Sequence, residues 1–123
     1  MNPPLSISEV PAQAKSIALI MDDPDAPVGT WVHWVLWNVD PKTAQIPEKA
    51  GKLGVDGTNS FRRPGYGGPC PPRGHGKHRY FFKIYALDTI LPLKPGSGKA
   101  DLENAMQGHV IDSAELMGTY ERA

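Results

Sequence analysis

Two short clusters hold the side chains of this sequence that could do chemistry. One is Asp22-Asp23-Pro24-Asp25-Ala26-Pro27, with His33 just beyond it. The other runs from Tyr66 to Tyr80 as Tyr-Gly-Gly-Pro-Cys-Pro-Pro-Arg-Gly-His-Gly-Lys-His-Arg-Tyr. Imidazole and backbone N–H groups donate to the oxygens of an anion. A nearby carboxylate fixes the imidazole tautomer or accepts a proton from a phosphate. The glycines of the second cluster let backbone N–H groups come close to a ligand, and its prolines hold the loop in shape. A polar pocket with one wall from each cluster would therefore capture a small oxyanion.

Each part also has an ordinary structural explanation. Asp and Pro end strands in turns for local reasons. A single histidine on an apolar strand is more often a satisfied core residue, and Tyr66 and Tyr80 are by default core or pocket-lining aromatics. His75 and His78 are three apart, but a loop of glycines does not fix them as a metal pair. The combination is stronger than its parts, although spacing alone does not show that the clusters converge. Ala26–Pro27 is a candidate cis bond.

Three apolar runs must position these residues. Ser16 to Met21 reads as a buried strand that delivers Asp22, Asp23 and Asp25 to its end. Trp31 to Val39 alternates Trp31, His33, Val35, Trp37 and Val39 with Val32, Trp34, Leu36 and Asn38. Both sets are largely apolar, which predicts a central strand covered on both faces, with His33 buried or half-buried. Arg79 to Asp88 is the third strand, with His78, Tyr80, Phe82, Ile84 and Ala86 on one face. Ala100 to Gln107 reads as a helix stopped by Gly108. Val110 to Tyr120 returns to strand with Gly118 as a bulge or close approach, a helix to Met117 being the competing reading. The whole is a single mainly-β domain over 1–123 with one or two short helices.

Composition narrows the function classes. The 13 basic and 13 acidic side chains cancel, so no basic stripe for nucleic acid is present. Arg62, Arg63, Arg73, Lys77 and Arg79 form a modest group beside the Gly/Pro loop, suited to a small anion. Cys70 is the single cysteine, which excludes an intrachain disulfide and a cysteine zinc site. Its default role is packing. Gly-x-Ser-x-Gly and His-Glu-x-x-His are absent, and the Gly76-Lys77 segment fails as a P-loop at both ends. No signal-like start or bilayer-length run is seen, so a cytoplasmic protein without a stable membrane anchor is expected.

The ordered motifs resemble the phosphatidylethanolamine-binding proteins, also called Raf kinase inhibitor-like proteins, in their prokaryotic branch. The resemblance rests on Asp23-Pro24-Asp25-Ala26-Pro27, Trp31-Val32-His33-Trp34, Gly67-Gly68-Pro69-Cys70-Pro71-Pro72 and His78-Arg79-Tyr80. Gly57-Thr58-Asn59-Ser60-Phe61, Tyr85-Ala86-Leu87-Asp88, Met106-Gln107-Gly108-His109 and Gly118-Thr119-Tyr120-Glu121-Arg122 extend it over nearly the whole chain from about Pro3. It implies a large antiparallel sheet packed on a smaller one, with a small cavity that binds phosphate-like anions or a phosphorylethanolamine head group. The pocket residues carry over at Asp23, Asp25, His33, His78 and Tyr80, with Pro27, Gly68 and Pro72 shaping the wall. The resemblance also implies that Ala26–Pro27 is cis. Ile7 stands where many members have a tryptophan, and members usually begin with further strands ahead of Asn2-Pro3-Pro4-Leu5-Ser6. Without them an open edge and exposed apolar surface are expected, and with these a homodimer.

The expected function is non-enzymatic binding of a small phosphate-bearing anion, with no cofactor and no metal, coupled to regulation of a protein partner. Two other readings stay open at this point. One is a metal-dependent or acid–base hydrolase built on Asp23, Asp25, His33 and His78. The other is a protein-interaction module whose pocket is vestigial.

Overall fold

The computed structural model describes residues 5–6, 10–25, 29–42, 45–46, 53–67 and 78–120, without the side chains of 5–6, 45–46, 78 and 118–120. Its centre is β2 (Ser16–Asp23), in which every residue is buried. Ile17, Ala18, Leu19, Ile20 and Met21 can be buried on both faces because a strand sits on each side of β2 and takes up its backbone groups. One neighbour is β3 (Trp31–Val39) and the other is β6 (His78–Leu87), both antiparallel. The short β5 (Val55–Asp56) flanks β3, and the long β7 (Val110–Tyr120) flanks β6, giving a five-stranded sheet in the order β5-β3-β2-β6-β7. A separate antiparallel pair joins β1 (Leu5–Ser6) to β4 (Gln45–Ile46).

Alternation along β2 divides the core in two. Ile17, Leu19 and Met21 pack with Trp34, Leu36, Val39, Tyr80 and Phe82 on one face. Ala18 and Ile20 pack with Val35, Trp37, Leu87 and Leu91 on the other, where α1 (Lys99–Met106) contributes Leu102 and Met106. Each large side chain buried here contributes roughly 1.5–3 kcal/mol of transfer free energy. Helix α1 begins at Gly98, whose N–H donates to Asp101 Oδ2 at 3.0 Å, and it ends before Gly108, at φ +79.

The expected strands and helix are present within a residue or two, with one correction, at Gly118. As expected, β3 lies inside the sheet, between β5 and β2, with both faces covered. Val110–Tyr120 is strand throughout, which removes the competing helix. Gly118 pairs in unbroken register with Tyr80; the irregularity of the β6–β7 ladder lies between Ala86 and Leu87. The expected cis bond at Ala26–Pro27 lies outside the described residues. Among those residues no helix is long and apolar enough to cross a membrane.

Asp22 points away from Asp23, and at 2% exposure it cannot rely on water. Lys83 Nζ and Lys99 Nζ both donate to its Oδ2, at 3.1 and 3.0 Å, linking β2, β6 and α1. Burial alone would lower the Lys83 pKa, but the hydrogen bond and charge of Asp22 outweigh it and leave the pKa raised. Stability from Lys83 is therefore full below the ordinary lysine value of about 10.4 and fades as pH rises through the raised folded value. The change Asp22→Asn should cost about 2 kcal/mol at neutral pH. It should also flatten the alkaline fall in stability. Denaturant unfolding of both proteins at about pH 8 and about pH 11 checks each effect.

Candidate ligand-binding site

The site forms where the ends of β2, β3 and β6 meet. Along β2 the ladder pairs Met21 with Trp34 and then Asp22 with Val32, leaving His33 as an extra, unpaired residue of β3. This is a bulge, which breaks alternation and turns the local side chains. Simple period two placed His33 with Val35 and Trp37 on the α1 face. Instead its ring packs edge-on against Tyr80, 5.3 Å between centroids, on the face of Met21 and Trp34. Asp23 follows Met21 by two residues along β2 and so shares that face.

His33 is only 3% exposed and is held from both sides of one glycine. Its Nδ1–H donates to the Gly67 carbonyl at 2.6 Å, and the Gly67 N–H donates to the His33 carbonyl at 2.8 Å. The proton of the neutral ring is thereby assigned to Nδ1. A side chain at Gly67 would displace the Phe61 ring, because an added Cβ would lie 2.4 Å from it. That ring stands edge-on to both His33 and Trp31, at 5.6 and 5.4 Å. Tyr66 packs on Trp34 at 5.6 Å, and burial raises its phenol pKa.

The two aspartates are both engaged. Asp23 Oδ1 accepts the Asp25 N–H at 2.8 Å, closing the turn that follows β2. The Asp25 carboxylate accepts the backbone N–H of Arg79 and, in a two-pronged pair, its Nε and terminal nitrogen, each at 2.9 Å. The hydrogen bond and charge of Asp25 raise the Arg79 pKa further. Asp25 thus ties the turn after β2 to Arg79 near the start of β6, one residue before Tyr80.

Of the expected site residues, the structure brings together Asp23, Asp25, His33 and Tyr80. His78 opens β6, with its backbone opposite Tyr120, but its side chain lies outside the described residues. Pro27, Gly68 and Pro72 also lie outside them. An open depression beside α1, lined by Pro92, Lys94, Ser97, Asp101 and Asn104, belongs to the other face of the sheet. No group of three or more His, Cys, Asp or Glu among the described residues is arranged to hold a metal ion.

Two positioning residues were not singled out for the site from the sequence. Arg79 is one; the sequence showed it only as part of the basic group beside the Gly/Pro loop and within His78-Arg79-Tyr80. Asn59 is the other. It is 5% exposed, and its Oδ1 accepts the N–H groups of Phe61 and Arg63 while its Nδ2 donates to the Gly65 carbonyl. These bonds shape the loop that presents Phe61 and Gly67 to His33. Ser60 adds two links to Val32, one through its hydroxyl and one through its N–H, at 2.8 Å each.

The family model for phosphatidylethanolamine-binding protein matches residues 1–121. A UPF0098 protein of Pyrococcus horikoshii is 54% identical over 130 residues, covering 99% of this chain, which spans only 65% of that relative's length. A UPF0098 protein of Pyrococcus abyssi is 52% identical, and 72% of its length is spanned. Among solved structures, a putative phosphatidylethanolamine-binding protein homologue from Chlamydia trachomatis superposes with TM-score 0.94 at 47% identity, over 98% of this chain and 81% of that one. E. coli YbcL, described as a new member of the mammalian family, gives 0.87 at 34% identity, over 98% and 80%.

The Asn59 network predicts its own test. Asn59→Ala leaves two part-buried N–H groups and one carbonyl of the loop without their partner, at a cost of roughly 1–3 kcal/mol. It should also loosen the Gly67 clamp. Urea unfolding measures the first effect, and faster solvent exchange of the His33 Nδ1 proton in NMR spectra measures the second. A slowly exchanging ring proton in the variant would disconnect Asn59 from the site.

Proposed function

This chain belongs to the phosphatidylethanolamine-binding protein family, in its prokaryotic branch, and we propose that it binds a small phosphate-bearing anion without transforming it. Inorganic phosphate and a phosphorylethanolamine-like head group share the required chemistry. The observation that supports this reading most is the buried His33 ring, clamped through Nδ1 and packed on Tyr80 beside the end of β2.

On this reading His33 Nε2 and the imidazole of His78 donate to the phosphate oxygens. Asp23 accepts a phosphate proton or orients a ring. Asp25 acts through Arg79, holding the start of β6 in place, and Tyr80 closes one side. N–H groups around Gly68 complete the cradle, with Pro27 and Pro72 shaping its wall. A protein partner reads the filled pocket at the rim, where Phe61 is 39% exposed.

The clamp gives this proposal a definite pH dependence. Because Nδ1–H is committed to the Gly67 carbonyl, donation from Nε2 requires the charged ring. A bound anion then raises the ring pKa. Affinity should be full below the pKa of the free ring and fall as pH rises through that of the complex. Titration calorimetry with inorganic phosphate and with phosphorylethanolamine should give one site per chain, lost in His33→Ala and in His78→Ala. A folded protein that gives no heat with either ligand overturns the reading. An affinity flat between about pH 5 and pH 9 removes the charged imidazole from it.

A further inference from the structure

Arg62 and Arg63 are the cations of the loop that clamps His33, and the fold itself makes no use of their side chains. Both residues are exposed, and among the described residues neither guanidinium has a hydrogen-bond or ion-pair partner. By contrast, Lys83 and Lys99 are held on Asp22, and Arg79 on Asp25. The backbone beneath the pair is fixed. Arg62 N–H donates to the Asn59 carbonyl at 3.0 Å and Arg63 N–H to Asn59 Oδ1 at 3.3 Å, while the Arg63 carbonyl accepts the Asn59 N–H at 2.9 Å. This turn holds Arg62 at φ +62, a left-handed conformation that a bulky residue keeps only where its surroundings impose it. Phe61, just before the pair, is 39% exposed and stands edge-on to His33, so it forms the rim of the site. Consecutive Cα atoms are about 3.8 Å apart, which roots both arginines within about 8 Å of that rim residue.

We propose that the ligand of this site carries a second anionic group on a short linker beside its phosphate, and that Arg62 and Arg63 select for it. The inference rests on the phosphate-binding reading of the His33 site and narrows it. Charge complementarity carries it. The described carboxylates of the site are already engaged, Asp23 by the Asp25 N–H and Asp25 by Arg79. A ligand ammonium would therefore meet two like charges at the rim, where a carboxylate or second phosphate would meet two unlike ones. Each guanidinium presents its N–H donors in a planar fork that fits either anionic group. Because Asn59 already fixes the turn, binding orders the two side chains and not the backbone that bears them. The rim is open to water, so the preference is one of degree and is largest at low salt.

Titration calorimetry of the full chain at a single pH tests this with ethyl phosphate, phosphorylethanolamine and phosphoglycolate. The three share an ester phosphate on a two-carbon unit and end in a methyl, an ammonium and a carboxylate. Phosphoglycolate should bind about tenfold more tightly than phosphorylethanolamine at low salt, with ethyl phosphate between them, and the gap should narrow at about 0.5 M salt. In the double variant Arg62→Gln, Arg63→Gln the ratio of phosphoglycolate to ethyl phosphate affinity should fall to about one. Damage to the fold or to the phosphate pocket would lower both affinities alike, so the ratio reads the two arginines alone. Equal affinities for the three esters, or a preference for the ammonium, overturn the inference and leave a phosphate site standing. A preference that survives in the double variant overturns it too, since the selecting groups then lie elsewhere. A folded native chain that binds none of the three overturns the phosphate-binding reading and this inference with it.

Discussion

Burial of β2 to its last residue is the constraint on which the rest depends. Ser16–Asp23 has no exposed position, so the strand carries two carboxylates out of water side by side. An uncompensated buried charge costs several kcal/mol, so each must be met from within the protein. Alternation sends them to opposite faces. Asp22 meets two ammonium groups from β6 and α1, which fixes the helix against the sheet. Asp23 meets the N–H of Asp25, which fixes the turn, and Asp25 in turn captures the start of β6 through Arg79. One apolar strand ending in two aspartates thus determines where the helix, the turn and the site strand lie.

The bulge at His33 follows from a second constraint on the same ladder. Beyond Met21, β3 must keep pairing with β2 while also accepting hydrogen bonds from Gly57, Ser60 and Gly67 along its other edge. The extra residue lets the chain do both, and it moves the imidazole from the α1 face to the face of Tyr80. A similar slip farther along, where Asn38 adopts φ +56 and exchanges two hydrogen bonds with Leu91, brings Val39 back to the face of Leu36. Two one-residue irregularities therefore decide which face each β3 side chain takes, and the one at His33 decides which of them line the site.

This explains what the sequence could and could not reveal. The strands over Ser16–Asp23, Trp31–Val39 and His78–Leu87 are legible because burial on both faces demands continuous apolar runs. The helix is legible from the helix-forming run Ala100 to Gln107 and its stop at Gly108. Alternation failed at His33, since a bulge is a property of two strands together and leaves no mark in the period of one. Asn59 was hidden for a related reason: its partners are backbone groups of its own loop, which any sequence supplies. The Asp25–Arg79 pair joins residues 54 positions apart. Only the folded register brings them together.

The clamp on His33 ties what Nε2 can do to the protonation state of the ring. With Nδ1–H donating to Gly67, the neutral ring offers Nε2 as an acceptor, and the charged ring offers it as a donor. A general base needs the first form and an anion receptor needs the second. The surroundings bear on which is useful. Asp25 already accepts three N–H donors from Arg79, so its part is to anchor β6 rather than to relay a proton. Tyr80 and Phe61 pack edge-on to the imidazole, and rings in that arrangement restrain its rotation without exchanging protons with it. A ring held this firmly, at a place where two strand ends and a turn converge, is suited to presenting one fixed N–H to a ligand oxygen.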